Sequence, residues 1–426
     1  MSVVSTARPI PYAETNGRND TEEHHAHPMP VYLDYNATSP VAPRVITAMM
    51  PYFARQYGNA SSGHAFGLEA HNALDEARSR VASLLNCIED EIVFTGGGSE
   101  ANNLAVKGVA MRHPSGEAHI ITSVVDHPSV LKACYYLAQR LGVKVTLIPV
   151  DSHCRVDPDA VSRAITPDTK LISIMLANNE VGTIQPIAEI ARAARGINPD
   201  VLIHADAAQA AGKIDVDVQV LNVDVLTIAA HKFCGPKGVG ALFVRRGVEL
   251  DPLIEGAGHE RGRRSGTENI PGIVGLGMAA QMARHGLSDE TARLRQLRAR
   301  LKGALLTECP VALVNGHPDH HLPNTLNISF PGLIGNDILA EASGIAASTG
   351  AACHSGSVEP SSVLLSMGLS RDNALGALRL SIGRYTTESQ IDRAATEIVR
   401  AVRMLRGPSK TSRLKAGLPR RTRRNR

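Results

Sequence analysis

From Val31 to about residue 270 the chain alternates short β-rich runs with amphipathic stretches, and this alternation constrains the fold more than any other feature. The runs are Glu91–Thr95, His119–Ser123, Lys144–Pro149, Leu171–Leu176, Val201–Ala205, Val223–Ile228 and Gly240–Val244. Strands separated by helical segments do not pair as tight hairpins. They line up in parallel, and the connecting helices cover both faces of the sheet. The expectation is an α/β fold with a mostly parallel sheet between helices, which gathers its ligands at the strand ends. A long helical pattern follows over Gly272–Leu306, with charge on one face across Asp289–Arg300. It leads into a smaller C-terminal α+β domain with strands at Thr325–Phe330 and Ala377–Ile382, a Gly/Ser/Ala-rich stretch around Cys353, and a closing helix over Glu388–Leu405. The expected division is a disordered extension over 1–29, a large domain over 30–270, a small domain over 271–408 and a disordered basic tail over 409–426.

Charge narrows the partners. The net charge is +4, but eight Lys and Arg residues fall between Lys410 and Arg426 with no acid among them, so the rest of the chain stands at −4. A slightly acidic body argues against a nucleic-acid-binding surface. Six cysteines, Cys87, Cys134, Cys154, Cys234, Cys309 and Cys353, are scattered with no C-x-x-C pair and no zinc-like spacing, which suits free thiols in a reducing, cytoplasmic compartment and gives no metal site. His24, His25 and His27 read as part of a solvated tail rather than as metal ligands. The N-terminus lacks a signal-peptide pattern, and no apolar run approaches the roughly 18 residues of a membrane span.

The most informative segment is Asp224–Val244, where one strand runs into Ala-Ala-His231-Lys232-Phe-Cys-Gly-Pro-Lys-Gly and a second strand leaves it. A lone His-Lys at a turn is more often a surface lysine. A lysine between two buried strands, however, suits a Schiff base, because burial and neighbouring cations depress an amine's pKa and make it nucleophilic. Upstream, His204-Ala-Asp206-Ala-Ala-Gln209 ends a strand with a carboxylate able to keep a pyridine nitrogen protonated, followed by an amide within reach of a ring oxygen; alone, that Asp is as often a helix cap. Phe94-Thr95-Gly96-Gly97-Gly98-Ser99-Glu100 turns from strand to helix through three glycines, the setting in which helix N-H groups bind phosphate, though a purely structural turn reads the same way. It matches neither a P-loop nor a G-x-G-x-x-G sequence.

These segments, together with Tyr32-Leu-Asp-Tyr-Asn36-Ala-Thr, Asn178-Asn179-Glu180-Val-Gly and Arg261–Asn269, resemble the cysteine desulfurase and selenocysteine lyase family, a class-V aminotransferase group within fold type I of the pyridoxal-phosphate (PLP) enzymes. The resemblance runs in order from Val31 to Leu405. It implies a homodimer whose active sites borrow residues across the subunits. It also implies that Lys232 carries PLP, Asp206 partners the pyridine nitrogen, and Gln209 and Asn179 contact ring substituents. His127 would stack on the ring and relay protons; Gly98, Ser99 and His231 would hold the phosphate with Thr267 of the other subunit; Arg379 would clamp the substrate carboxylate, with Asn36 and Asn178 beside the substrate. Two positions depart from the family pattern. Ala229 stands where many desulfurases have a phosphate-binding Ser, and Pro128 follows His127 where a Lys or an acid is usual.

PLP alone supports transamination, racemisation or β-elimination, so the reaction type has to come from a second group. The stretch Ala347–Pro360 resembles the family's sulfur-accepting loop in its longer form and presents Cys353 in a small-residue setting expected to be mobile. The reading is conversion of L-cysteine to L-alanine with sulfur passed to Cys353 as a persulfide, and onward to an acceptor such as an iron-sulfur scaffold protein. Gly350-Ala-Ala-Cys353-His354-Ser also resembles the selenocysteine lyase branch, which leaves L-selenocysteine as an alternative substrate. A scaffold protein that keeps the fold without catalysis sits poorly with Lys232 and Cys353 both present in full motifs.

Overall fold

The computed structural model describes residues 29–349, 352–354 and 357–407, without the side chains of 352–354, 357 and 358. The chain opens with a two-residue strand, β1 (Val31–Tyr32), and then enters the first and larger layered unit. Its sheet has seven strands: β2 (Ile92–Thr95), β3 (His119–Ser123), β4 (Lys144–Ile148), β5 (Thr169–Met175), β6 (Leu202–Asp206), β7 (Val225–Ala229) and β8 (Gly240–Val244), in the order β2-β8-β7-β6-β5-β3-β4. Pairing is parallel from β4 through β7, and β8 runs antiparallel to both its neighbours. β7 and β8 are buried along their whole length because helices cover both faces, so they read as unbroken apolar runs rather than as alternations.

The two edges are handled differently. β4 is partly exposed and carries Lys144 and Thr146, polar residues that discourage further pairing. β2 is fully buried, and its outer backbone groups are satisfied by a buried ion pair: Arg78 donates to the carbonyl of Ile92 at 2.8 Å, while Glu260 accepts from the amide of Phe94 at 2.9 Å. The same two side chains meet in a bidentate pair at 2.8 Å, with the guanidinium over the Phe94 ring.

The helix Ile270–Glu308 is continuous over 39 residues. Asn269 caps it by accepting from the amide of Gly272. Its first half packs Ile273, Leu276, Ala279 and Ala280 into the core beneath the large sheet, and its second half packs Leu294, Leu297, Leu301 and Leu305 into a second core. That second core lies under an antiparallel sheet of β9 (Leu313–Asn315), β10 (Thr325–Ser329) and a last strand over Ala377–Ser381, with the helix Glu388–Arg406 closing it. β1 does not join the large sheet. It pairs in parallel with β11 (Ile345–Ala346), and Val31 and Leu33 sit in the second core, so the N-terminal strand straps the later part of the chain back onto the earlier part.

One element departs from the sequence reading. The stretch around Cys353 was expected as an irregular loop, and its backbone forms a hairpin of β12 (Ala352–His354) and β13 (Ser357–Glu359), with Cys353 opposite Val358. Small residues with no apolar period give no strand signal, yet a backbone ladder requires none. The last strand of the three-stranded sheet is therefore β14 (Ala377–Ser381).

Candidate active site

The carboxyl ends of the strands deliver most of the expected residues to one place. β2 leads into Gly96–Ser99, β3 into the turn before His127, β5 into Asn178 and Asn179, β6 ends on Asp206, and β7 runs into the tight turn Ala230–Lys232. Gly98, Ser99, His127, Asn179, Asp206, Gln209, His231 and Lys232, together with Asn36 and Arg379, line a cavity of about 690 Å³, while Asn178 lies behind its wall.

The amine of Lys232 donates to the carbonyls of Asn36 at 2.7 Å and Ala37 at 2.9 Å. Burial lowers its pKa to about 8, with Arg379 adding to the effect while Asp206 and Asp34 oppose it. An amine so placed is partly neutral at physiological pH and fit for attack on a carbonyl. Asp206 is buried, and its oxygens accept from Asn102 Nδ2 at 2.7 Å and from the amide of Ala208 at 2.9 Å. His127 caps the helix Pro128–Leu141: its Nδ1 accepts from the amide of Ser129 at 3.2 Å, which leaves Nε2 to carry the proton of the neutral ring. Burial lowers the His127 pKa, so the neutral form is favoured.

At the opposite end the helix Gly98–Met111 points its N-terminus into the cavity. Gly97, at φ 142°, takes a conformation that L side chains rarely adopt, and a Cβ on Gly98 would sit 3.2 Å from the Cβ of Ala229. The loop therefore needs Gly97 for its backbone conformation and Gly98 to pack against Ala229, which, small and apolar, brings no hydroxyl there. His231, whose Nδ1 meets Thr38 Oγ1 at 3.2 Å, has its pKa lowered to about 4 by burial and then by Lys232, Lys237 and Lys213.

Arg379 comes from β14 and is 8% exposed. It donates to Asp34 Oδ1 at 2.7 Å and to the carbonyl of Asn179 at 3.3 Å, and its Nε has no partner. Asn36 shows its backbone carbonyl to the cavity, while its side chain is bound by Asn179, Thr325, Asn324 and Lys213. Asn178 is a correction. It was expected beside the substrate, but it is fully buried; its Oδ1 accepts from the amides of Glu180 and Val181 and its Nδ2 donates to the carbonyl of Val125, so it shapes the turn that presents Asn179. Thr267 is exposed and does not line this cavity.

The segments flanking the Cys353 hairpin are tied to residues of the site or next to it. The chain departs where Ser348 pairs with the backbone of Arg379, and it returns at Ser361, whose hydroxyl donates to the half-buried Glu180 carboxylate one residue beyond Asn179. The Cys353 side chain lies outside the described residues.

Two buried polar atoms in the cavity wall, Arg379 Nε and Asn102 Oδ1, have no partner, and such atoms call for a ligand. A depressed amine, a buried carboxylate, an amide and a glycine-lined helix N-terminus fit the aldehyde, ring nitrogen, ring oxygen and phosphate of PLP. The sequence reading had missed three contributors. Asn102 could have been found, since it lies four residues after Gly98 and so faces the same side of the helix. Asp126 is fully buried and fixes the His127 turn by accepting from Ser123 and Met175; Glu180 anchors the hairpin. Their roles depend on contacts distant in sequence.

Comparison with known proteins gives the family of the chain. The class-V aminotransferase family matches residues 31–394. Cysteine desulfurase IscS of Anaeromyxobacter dehalogenans is 46% identical over 89% of this chain and 94% of its own length, and cysteine desulfurase IscS of Methanosarcina thermophila is 44% identical over 92% and 96%. Among solved structures, a NifS-like protein superposes with a TM-score of 0.82 at 39% identity, covering 87% of this chain and 99% of that one.

Proposed function

The chain belongs to the class-V aminotransferases, and to the cysteine desulfurases among them, and from that premise we propose that it holds PLP on Lys232 and moves the sulfur of L-cysteine to Cys353, leaving L-alanine. The observation that carries the proposal is the convergence of a depressed lysine, a buried carboxylate and a buried arginine in one cavity, with the segment leading into the Cys353 hairpin paired with that arginine's own backbone.

When bound, PLP supplies an aldehyde for the substrate amine and an electron-withdrawing ring that makes the substrate's α-hydrogen acidic. Everything else is the work of side chains. Arg379 takes the substrate carboxylate, exchanging its contact with Asp34 for a bidentate one. Asp206, held by Asn102 and the Ala208 amide, is oriented to meet the ring nitrogen. Lys232, as the neutral amine, receives the α-proton. His127, held through Nδ1 by Ser129, which also accepts from Asn102, offers its Nε2 proton. The Cys353 thiolate attacks the substrate sulfur and the carbon-sulfur bond breaks; carbon takes the electron pair and a proton, so sulfur is oxidised to the persulfide level while carbon is reduced.

A persulfide on Cys353 needs a second protein to take the sulfur, and an iron-sulfur scaffold is the acceptor class proposed. The enzyme is further proposed to act as a cytoplasmic homodimer, with Thr267 serving the neighbouring subunit's phosphate. Five cysteines are free among the described residues, and no helix there is long and apolar enough to cross a membrane.

The test is Cys353→Ala assayed for alanine with both L-cysteine and L-selenocysteine. Activity on cysteine is expected to fall at least a hundred-fold (~3 kcal/mol of lost transition-state stabilisation) while PLP is retained. Full activity on cysteine would remove Cys353 from the reaction. Activity surviving on selenocysteine alone would extend the substrate range.

A further inference from the structure

Lys213 lies just outside the cavity that holds Lys232, seven residues after Asp206, with its side chain buried. Burying an amine is costly unless its hydrogens are taken up. Here they meet amide oxygens: Nζ donates to Gln209 Oε1 at 2.8 Å and to Asn36 Oδ1 at 3.2 Å, with no carboxylate within ion-pair reach among the described residues. Its other side faces a small cavity of about 40 Å³ shared with Tyr35, Cys234 and Arg384.

The opposite edge of the Gln209 amide faces the active site. Its Nε2 donates to the carbonyl of Asn36 at 2.8 Å, and that same carbonyl accepts from Lys232 at 2.7 Å. An amide nitrogen carries two hydrogens, so one remains for a ligand. We infer that Lys213 is a positioning residue that, by holding the oxygen of Gln209, commits the amide's NH2 edge to the cavity, where its second hydrogen goes to the ring oxygen of bound PLP. The inference rests on the cofactor reading above and adds the group that orients the ring contact. Without Lys213 only the Asn36 carbonyl holds the amide's orientation, and a turned amide presents an acceptor to a ring oxygen that bears negative charge. Burial, with Lys232 and Arg379 behind it, lowers the Lys213 pKa to about 7, and the amine donates in either charge state.

The experiment compares wild type, Lys213→Met, Lys213→Arg, Gln209→Ala and Lys213→Met/Gln209→Ala, reading the visible band of the lysine-bound cofactor and the PLP dissociation constant of the cofactor-free protein. Lys213→Met is expected to move the band to shorter wavelength and to weaken PLP by about ten-fold, the effect of one hydrogen bond to a charged group. In the Gln209→Ala background the same substitution should change neither quantity, and Lys213→Arg should restore the band. An unchanged band and affinity in Lys213→Met, or an equal loss with and without Gln209, overturns the inference. If Lys213→Met does not fold, Lys213→Gln decides: its shorter polar side chain ends one bond short of the Gln209 oxygen, so a band displaced only when Gln209 is present supports the inference and a wild-type band overturns it. A wild-type protein that gains no band with PLP is a separate outcome, the failure of the cofactor reading itself.

Discussion

Lys232 sits between opposed charges, and the balance sets when it can react. With a pKa of about 8, roughly one amine in ten is neutral at pH 7, against about one in three thousand for an unperturbed lysine. Because only the neutral amine attacks an aldehyde, the rate at which cofactor-free protein takes up PLP should rise with pH and level off above a midpoint near 8, not near 10.5. Arg379 lowers this pKa, so Arg379→Ala should move the midpoint upward; stopped-flow uptake across a pH series measures both. A wild-type midpoint above 10 would show that the amine is solvated. Lys232 and Asp206 were legible because each stands at the end of an apolar run, where buried strands hand side chains to one edge; His127 came only from the family resemblance. Asn178 was not, because two adjacent asparagines look alike in sequence and only the twist of the turn sends one inward and buries the other. Lys213 was not read either: Gln209 is four residues before it, but its burial and its second partner, Asn36, depend on a segment 177 residues away.

Elements were read to within about two residues wherever burial on both faces forces a continuous apolar run, as with His119–Ser123 and Gly240–Val244, which match in full. Pairings that carry no side-chain signal were not read: β1 with β11, and β12 with β13. The edge of β2 shows why an apolar run alone does not close a sheet. Ile92 and Phe94 turn backbone groups outward into a buried setting, and Arg78 and Glu260 satisfy them while satisfying each other. Glu260 also begins the segment that carries Thr267, and it holds a left-handed φ of 49° that the ion pair helps to maintain. Arg78→Met therefore leaves a buried carboxylate and the Ile92 carbonyl uncompensated, and should destabilise the protein by about 3–5 kcal/mol. Chemical denaturation measures this. A loss below ~1 kcal/mol would mean that water replaces the guanidinium at that edge.

At the scale of the whole molecule, an apolar patch remains to be accounted for. Phe53, Tyr57, Phe66 and Leu68 are between 49% and 67% exposed, and the rings of Tyr57 and Phe66 lie 5.6 Å apart. Large apolar side chains at this exposure, two of them in ring contact, suit a contact surface. Thr267 is exposed as well and absent from the cavity of its own chain, which suits a residue that serves a second copy. The expected particle in sedimentation velocity is thus a dimer, twice the 45.3 kDa chain. Replacing Tyr57 and Phe66 together by Ser removes two side chains worth roughly 1.5–3 kcal/mol each when buried, so association should weaken by at least a hundred-fold. If Thr267 reaches the neighbouring phosphate, PLP affinity should fall in step with dissociation and recover as protein concentration is raised, because the missing hydrogen bond returns with the second subunit. A variant that is monomeric at every concentration yet binds PLP as tightly as wild type would separate the patch from the site, and would leave each cavity complete within one chain.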